Sequence, residues 1–269
     1  MAVRGVHAPV RQAVALEPEM LVRLEQYIQE RNKKDDKFAA AVGAWVCAVA
    51  CLRFTHAQRA RLVSRSASSV VIFVYKGKAR IDGARRGYQV RIPRRGLAVG
   101  APADWLWDLC HQQRLQNGDY GIIRDPVGGA AFTPQAFIGL MRTIVVEAQV
   151  TTTPEHLTSY SLRRFLPTGA DALLVPVDLR NALGSWQGSV DARISKFQAG
   201  RCMPIRYSGG RSDTEEQIKL YILEAVRVAQ TKAAGKALTW AVVRCHAPSW
   251  SSGDLQAEVA AAMDDCRQK

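Results

Sequence analysis

Two arginines, a lysine, a tryptophan and a later tyrosine have the residue types and spacing needed to act on a phosphodiester. Arg53 lies in C-L-R-F-T-H, and Lys76 follows 23 residues later in V-Y-K-G-K. Arg163, in S-Y-S-L-R-R, comes 110 residues after Arg53, and Trp186, in L-G-S-W, another 23 after that. Tyr207 follows in M-P-I-R-Y-S. An arginine fork is always charged and can hold two phosphate oxygens at once, so Arg53 and Arg163 are candidates to clamp the phosphate. Preorganised donors of this kind typically lower a barrier by roughly 3–4 kcal/mol each. A lysine can protonate a departing 5′ oxygen, a task open to both Lys76 and Lys78. A tyrosine nucleophile would form a phosphotyrosine that conserves the bond energy for rejoining. The indole N–H of Trp186 can donate to a phosphate oxygen.

The charge distribution suits a polyanionic partner. The chain of 269 residues carries a net charge of +13, with 37 Lys+Arg against 24 Asp+Glu. Between Cys51 and Arg95 stand 12 basic residues and one acid, Asp82. Such a block attracts nucleic acid before other partners. The candidates for contact with the DNA backbone are Arg59, Lys78, Arg80, Arg85, Arg86 and Arg164. No glycine-rich nucleotide loop, zinc spacing or paired-carboxylate nuclease signature is present. The acid pairs Asp35-Asp36, Glu215-Glu216 and Asp264-Asp265 read as solvated faces. Six cysteines without metal spacing, and no signal peptide, fit a reducing compartment, nuclear or cytoplasmic.

Local patterns predict the elements that must position these groups. Leu16-Glu17-Pro18-Glu19 reads as a helix start, with Met20, Leu24 and Tyr27 on one face. Phe38 to Leu52 is apolar and alanine-rich but too short to cross a membrane, so it predicts a buried helix ending at or just before Arg53. Ser68 to Ile92 predicts a hairpin, with a continuous β-branched run from Val70 and alternation through Tyr88, Val90 and Ile92. Its loop, Lys76 to Gly87, carries five basic residues. Short helices are expected at Trp105 to Gln113, after Thr133-Pro134 (with Ile138, Met141, Val145 and Ala148 inward), and at Leu255 to Asp265. Glu215 to Thr231 places Ile218, Tyr221, Ile222, Ala225, Val226 and Ala229 on one buried face. The expected class is mainly α with a small antiparallel β-sheet (α+β).

Read box by box, the chain resembles the catalytic domain of tyrosine recombinases, and most of all the divergent, crypton-like recombinases of eukaryotic mobile elements. The likeness runs from about Ala15 to Lys232. Leu16 to Met20 resembles the domain's opening helix, and Ala48 to Leu62 its first arginine box. Val74 to Arg80 is similar to its G-K-G-x-K hairpin, and Thr151 to Thr168 to its T-x-H-x-L-R-R box. Asp178 to Trp186 resembles the segment ending in histidine or tryptophan. The resemblance implies the DNA breaking–rejoining fold, site-specific recombination or integration through a phosphotyrosine, double-stranded DNA as partner, and tetramers on DNA. It implies no metal or nucleotide cofactor. Residues 1–14 would be a basic lead-in, 15–232 the catalytic domain and 233–269 a tail. The family's separate N-terminal clamp domain would then come from partner chains, or be absent from a shortened product.

Three positions depart from the family pattern. Tyr160 stands for the histidine of the second box, and His56 for the acid three residues after the first arginine. Tyr207 lies 21 residues after Trp186, where about nine are usual, and Ser195 occupies the usual point. These departures leave open a second reading, a recombinase-fold protein that binds DNA without cutting. A third, an unrelated basic RNA-associated protein, would lack an ordered site.

Overall fold

One apolar helix organises the structure. In α2 (Asp36–Val49) every residue from Phe38 to Val49 is buried. The Asp35 side chain starts it by accepting from the Lys37 N–H, and alanines along its length let neighbours approach closely. At Gly43 the approach is closest, since a Cβ there would lie 2.7 Å from the Ile123 side chain. The computed structural model describes residues 13–75, 80–81, 84–85, 87–98, 100–112, 121–125, 129–151, 153–176, 180, 183, 210–233 and 235–248. Among these, no helix is long and apolar enough to cross a membrane. α1 (Pro18–Gln29) opens with its proline at the first position and buries Leu24 and Tyr27, as the sequence predicts.

The hairpin forms as β2 (Ser69–Val74) and β5 (Tyr88–Pro93), paired antiparallel from Ser69↔Pro93 to Val74↔Tyr88. Val70, Ile72, Val74, Val90 and Ile92 are all buried. Between them β3 (Arg80–Ile81) and β4 (Ala84–Arg85) make a separate two-stranded ribbon. A third strand, β1 (Ala60–Arg65), was not anticipated. It pairs with β2 as an edge strand, and its register shifts between Leu62 and Ser64. The bulge and its charged side chains break the alternation that marks a strand in sequence.

Further helices pack around α2 and the sheet: α4 (Pro102–Gln112), α5 (Pro134–Glu147), a 3₁₀ turn (Pro154–His156), α6 (Ser159–Arg163) and α7 (Phe165–Ala172). α8 (Gly210–Lys232) and α9 (Trp240–His246) complete the described set. The molecule is thus mainly helical with a small three-stranded antiparallel sheet. α5 is rolled relative to expectation: Phe137, Met141, Ile144 and Val145 are buried, while Ile138 and Ala148 are only half-buried. The stack of Phe137 on Phe54 (4.2 Å between centroids, 17° between planes) accounts for that roll.

α8 buries the six residues its periodicity marks, but its acids are not a solvated pair. Glu216 is 2% exposed and pairs with Arg91 at 2.9 Å. Glu215 pairs with the fully buried Lys219 at 2.6 Å, and the Lys219 ammonium donates to the Arg91 carbonyl at 2.9 Å. Lys219 is one turn along the same helix from Glu215, but Arg91 lies on a distant strand, so nothing near Glu216 in sequence reveals its partner. The core also continues past Lys232 through Leu238, Trp240 and Val243. The Trp240 indole donates to the Leu16 carbonyl at 3.0 Å, and its ring sits where a Cβ on Gly169 would be 2.4 Å away. The helix expected at Leu255 to Asp265 lies outside the described residues.

Candidate phosphate-binding site

The end of α2 delivers the first arginine. Cys51 adopts a left-handed φ of 54°. The Leu52 N–H donates to Cys47 O at 3.0 Å and the Cys51 N–H to Ala48 O at 3.4 Å, the paired bonds of a Schellman motif. Arg53 then takes an extended conformation and caps α3 (Phe54–Ala57), its carbonyl accepting from the His56 N–H at 2.8 Å and the Ala57 N–H at 3.1 Å. Helix termination thereby fixes the backbone of Arg53 from both sides.

The second arginine comes from α6, whose start is fixed by a capping box. Thr158 Oγ1 accepts from the Tyr160 N–H at 3.2 Å, and Ser161 Oγ accepts from the Thr158 N–H at 3.2 Å. Arg163 stands in the last turn and is 6% exposed. The Cys51 thiol donates to the Arg163 carbonyl at 3.4 Å, joining the two arginine-bearing segments directly. Burial pushes this thiol up to about 11, so the neutral S–H needed for that bond is the form present.

The segments carrying Arg53 and Arg163 meet at Cys51 although the two arginines are 110 residues apart in the chain. The Arg53 guanidinium lies over the Tyr160 ring, 5.1 Å from its centroid, while Tyr160 remains 49% exposed. Arg53 Nε is buried without a hydrogen-bond partner among the described residues. A desolvated N–H of this kind favours an anion that can accept from it. Behind the arginines stands Tyr88, whose hydroxyl is 3.3 Å from His56 Nδ1. Burial pushes the Tyr88 phenol up to about 12; Arg163 and, more weakly, Arg53 pull it down, while Glu215 and Cys51 push it up. One neutral phenol therefore lies in the field of both arginines.

The remaining candidates divide clearly. Arg59 is exposed at the end of α3, and its carbonyl accepts the Tyr75 N–H at 2.8 Å. Tyr75 immediately precedes Lys76, so β2 leaves the sheet beside the arginine-bearing segment. Arg80 and Arg85 are backbone partners in the register of the β3–β4 ribbon. Arg164 is already engaged, its guanidinium donating to the Ala13 carbonyl. Lys76, Lys78, Arg86, Trp186 and Tyr207 lie outside the described residues. Sequence reasoning missed Tyr88 and Cys51 as members of this cluster. It noted His56 only as a departure from a pattern, and a Tyr88 partner cannot be read from a strand residue 32 positions away. No protein-family model, characterised protein or solved structure matches the chain.

Proposed function

We propose that this chain is a DNA strand transferase of the tyrosine-recombinase type. The observation that carries the reading is the junction of the Arg53 and Arg163 segments through Cys51, with Arg53 lying over the half-exposed Tyr160 ring and both arginine charges acting on Tyr88. Arg53 and Arg163 bind the non-bridging oxygens of the scissile phosphate. The Tyr207 phenol loses its proton to solvent as its oxygen attacks phosphorus, the bond to the 5′ oxygen breaks, and the Lys76 ammonium gives that oxygen its proton and is reprotonated from solvent. A 3′-phosphotyrosine and a free 5′ hydroxyl result, and attack by a 5′ hydroxyl on the phosphotyrosine reverses the step. Tyr160 and Trp186 support the phosphate, while the basic residues from Arg59 to Arg86 follow the flanking backbone. Double-stranded DNA is the proposed substrate, with self-association on it to supply the second strand pair. The activity would operate where DNA is held, in the nucleus or cytoplasm, in the service of recombination or integration.

The alternative of a DNA-binding relic is favoured by one observation. Tyr160 occupies the histidine position, and its ring packs against Arg53 in place of an imidazole. Covalent capture on nicked duplexes of randomised sequence separates the two. Wild type should give a denaturation-resistant adduct, and Tyr207→Phe should give none while binding DNA within about twofold of wild type. Equal adduct from Tyr207→Phe would remove Tyr207 from the mechanism. Salt-sensitive DNA binding with no adduct from either protein would favour the relic, because phosphate contacts release counterions with or without chemistry.

A further inference from the structure

We infer that Tyr88 and His56 form a positioning pair for the two arginines, an arrangement that rests on the strand-transfer reading only for its consequence on rate. His56 is tied to Arg53 twice: it follows Arg53 in the one-turn helix α3, and its N–H donates to the Arg53 carbonyl at 2.8 Å. Its side chain is buried, 8% exposed, with Nδ1 3.3 Å from the Tyr88 hydroxyl. The two rings also meet edge to face, at 6.4 Å and 85°. Tyr88 is held in turn by the sheet, paired with Val74 at the end of β2 nearest Arg59. The phenol thus connects the rigid sheet to the segment carrying Arg53 and stands within the electrostatic reach of Arg163.

The titratable and charged groups acting on Tyr88 come from several elements: Arg53 beside α3, Arg163 on α6, Glu215 on α8 and the neutral Cys51 thiol at the end of α2. The pair does not itself touch phosphate. It sets where Arg53 stands relative to Arg163, a distance that decides whether one phosphate can engage both forks. An acid at position 56 would hold Arg53 by charge. A histidine held by a neutral phenol does so through geometry, leaving the positive charge of both guanidiniums for the ligand.

Two readouts on the full chain test this, each in wild type, Tyr88→Phe, His56→Asn and His56→Leu. Inorganic phosphate binding reports on the arginine pair without chemistry, and single-turnover adduct formation on a nicked duplex reports on the reaction. Tyr88→Phe keeps the ring and loses only the hydroxyl. It should weaken phosphate binding about fivefold and slow adduct formation about tenfold, with duplex affinity falling by no more than the phosphate loss. His56→Asn keeps a polar group near the Nδ1 position and should retain most of both, whereas His56→Leu should match Tyr88→Phe. Unchanged phosphate binding in Tyr88→Phe, or equal losses in His56→Asn and His56→Leu, would overturn the positioning role whether or not adducts form. Phosphate binding that weakens as described, with no adduct from wild type, would support the pair and overturn strand transfer.

Discussion

Arg53 owes its place to a residue that ordinary preference would exclude. The left-handed position after a helix favours glycine, and a side chain there costs about 1 kcal/mol. At Cys51 that side chain reaches the Arg163 carbonyl, so the strained position also joins the two arginine segments. A second residue with a conflicted environment is Glu25. Its carboxylate accepts from the Trp45 indole at 2.8 Å and from the Leu97 and Ala98 N–H groups at 2.7 and 2.6 Å. Burial nonetheless pushes it from 4.5 to about 7, against those bonds and the charge of Arg227. A pKa raised on folding means that the folded state holds the proton more tightly. The stabilisation is therefore complete below about pH 4.5 and is lost as pH rises through 7. Urea unfolding of wild type and Glu25→Gln at pH 5 and pH 8 should show wild type losing up to about 3 kcal/mol more than the variant across that interval. Parallel losses in the two proteins would show that Glu25 does not titrate in this range.

At the scale of elements, three helices end in the same way. α2, α5 and α7 each close with paired bonds around a non-glycine residue of positive φ: Cys51, Gln149 and Leu174. Leu174 is 67% exposed and has no packing reason to be leucine. Leu174→Gly should relieve the strain and raise stability by about 0.5–1 kcal/mol, measured by chemical denaturation. A loss of stability would mean that the larger freedom of glycine in the unfolded chain outweighs the relief. Elements whose signal is local were legible in the sequence: the apolar run of α2, the β-branched run of β2, the alternation of β5 and the helical stripe of α8. Those that depend on remote partners were not. β1 carries no strand signal because it is an edge with a bulge, and Glu216 reads as part of a solvated face because Arg91 lies on another element. The arginines of the site were visible as a spacing, whereas the Tyr88–His56 contact beneath them needed the sheet and α3 in place.

For the whole molecule, the core brings distant segments of a strongly basic chain to one place. α2 carries Arg53 just past its end, α6 packs against α2 and carries Arg163, and the sheet brings Tyr88 to His56 and into the field of both arginines. The surplus charge from Cys51 to Arg95 lies in the same stretch of chain as Arg53, so the segment that attracts a polyanion also carries one of the two arginines that would hold its phosphate. The central claim is that Arg53 and Arg163 engage one phosphate. A double-mutant cycle on single-turnover adduct formation, with Arg53→Ala, Arg163→Ala and the double variant, tests it most directly. Two forks on a shared phosphate should couple by about 1–3 kcal/mol, the double variant losing much less than the two single losses combined. Losses that add to within about 0.5 kcal/mol would mean that the arginines act independently, and would contradict the shared site.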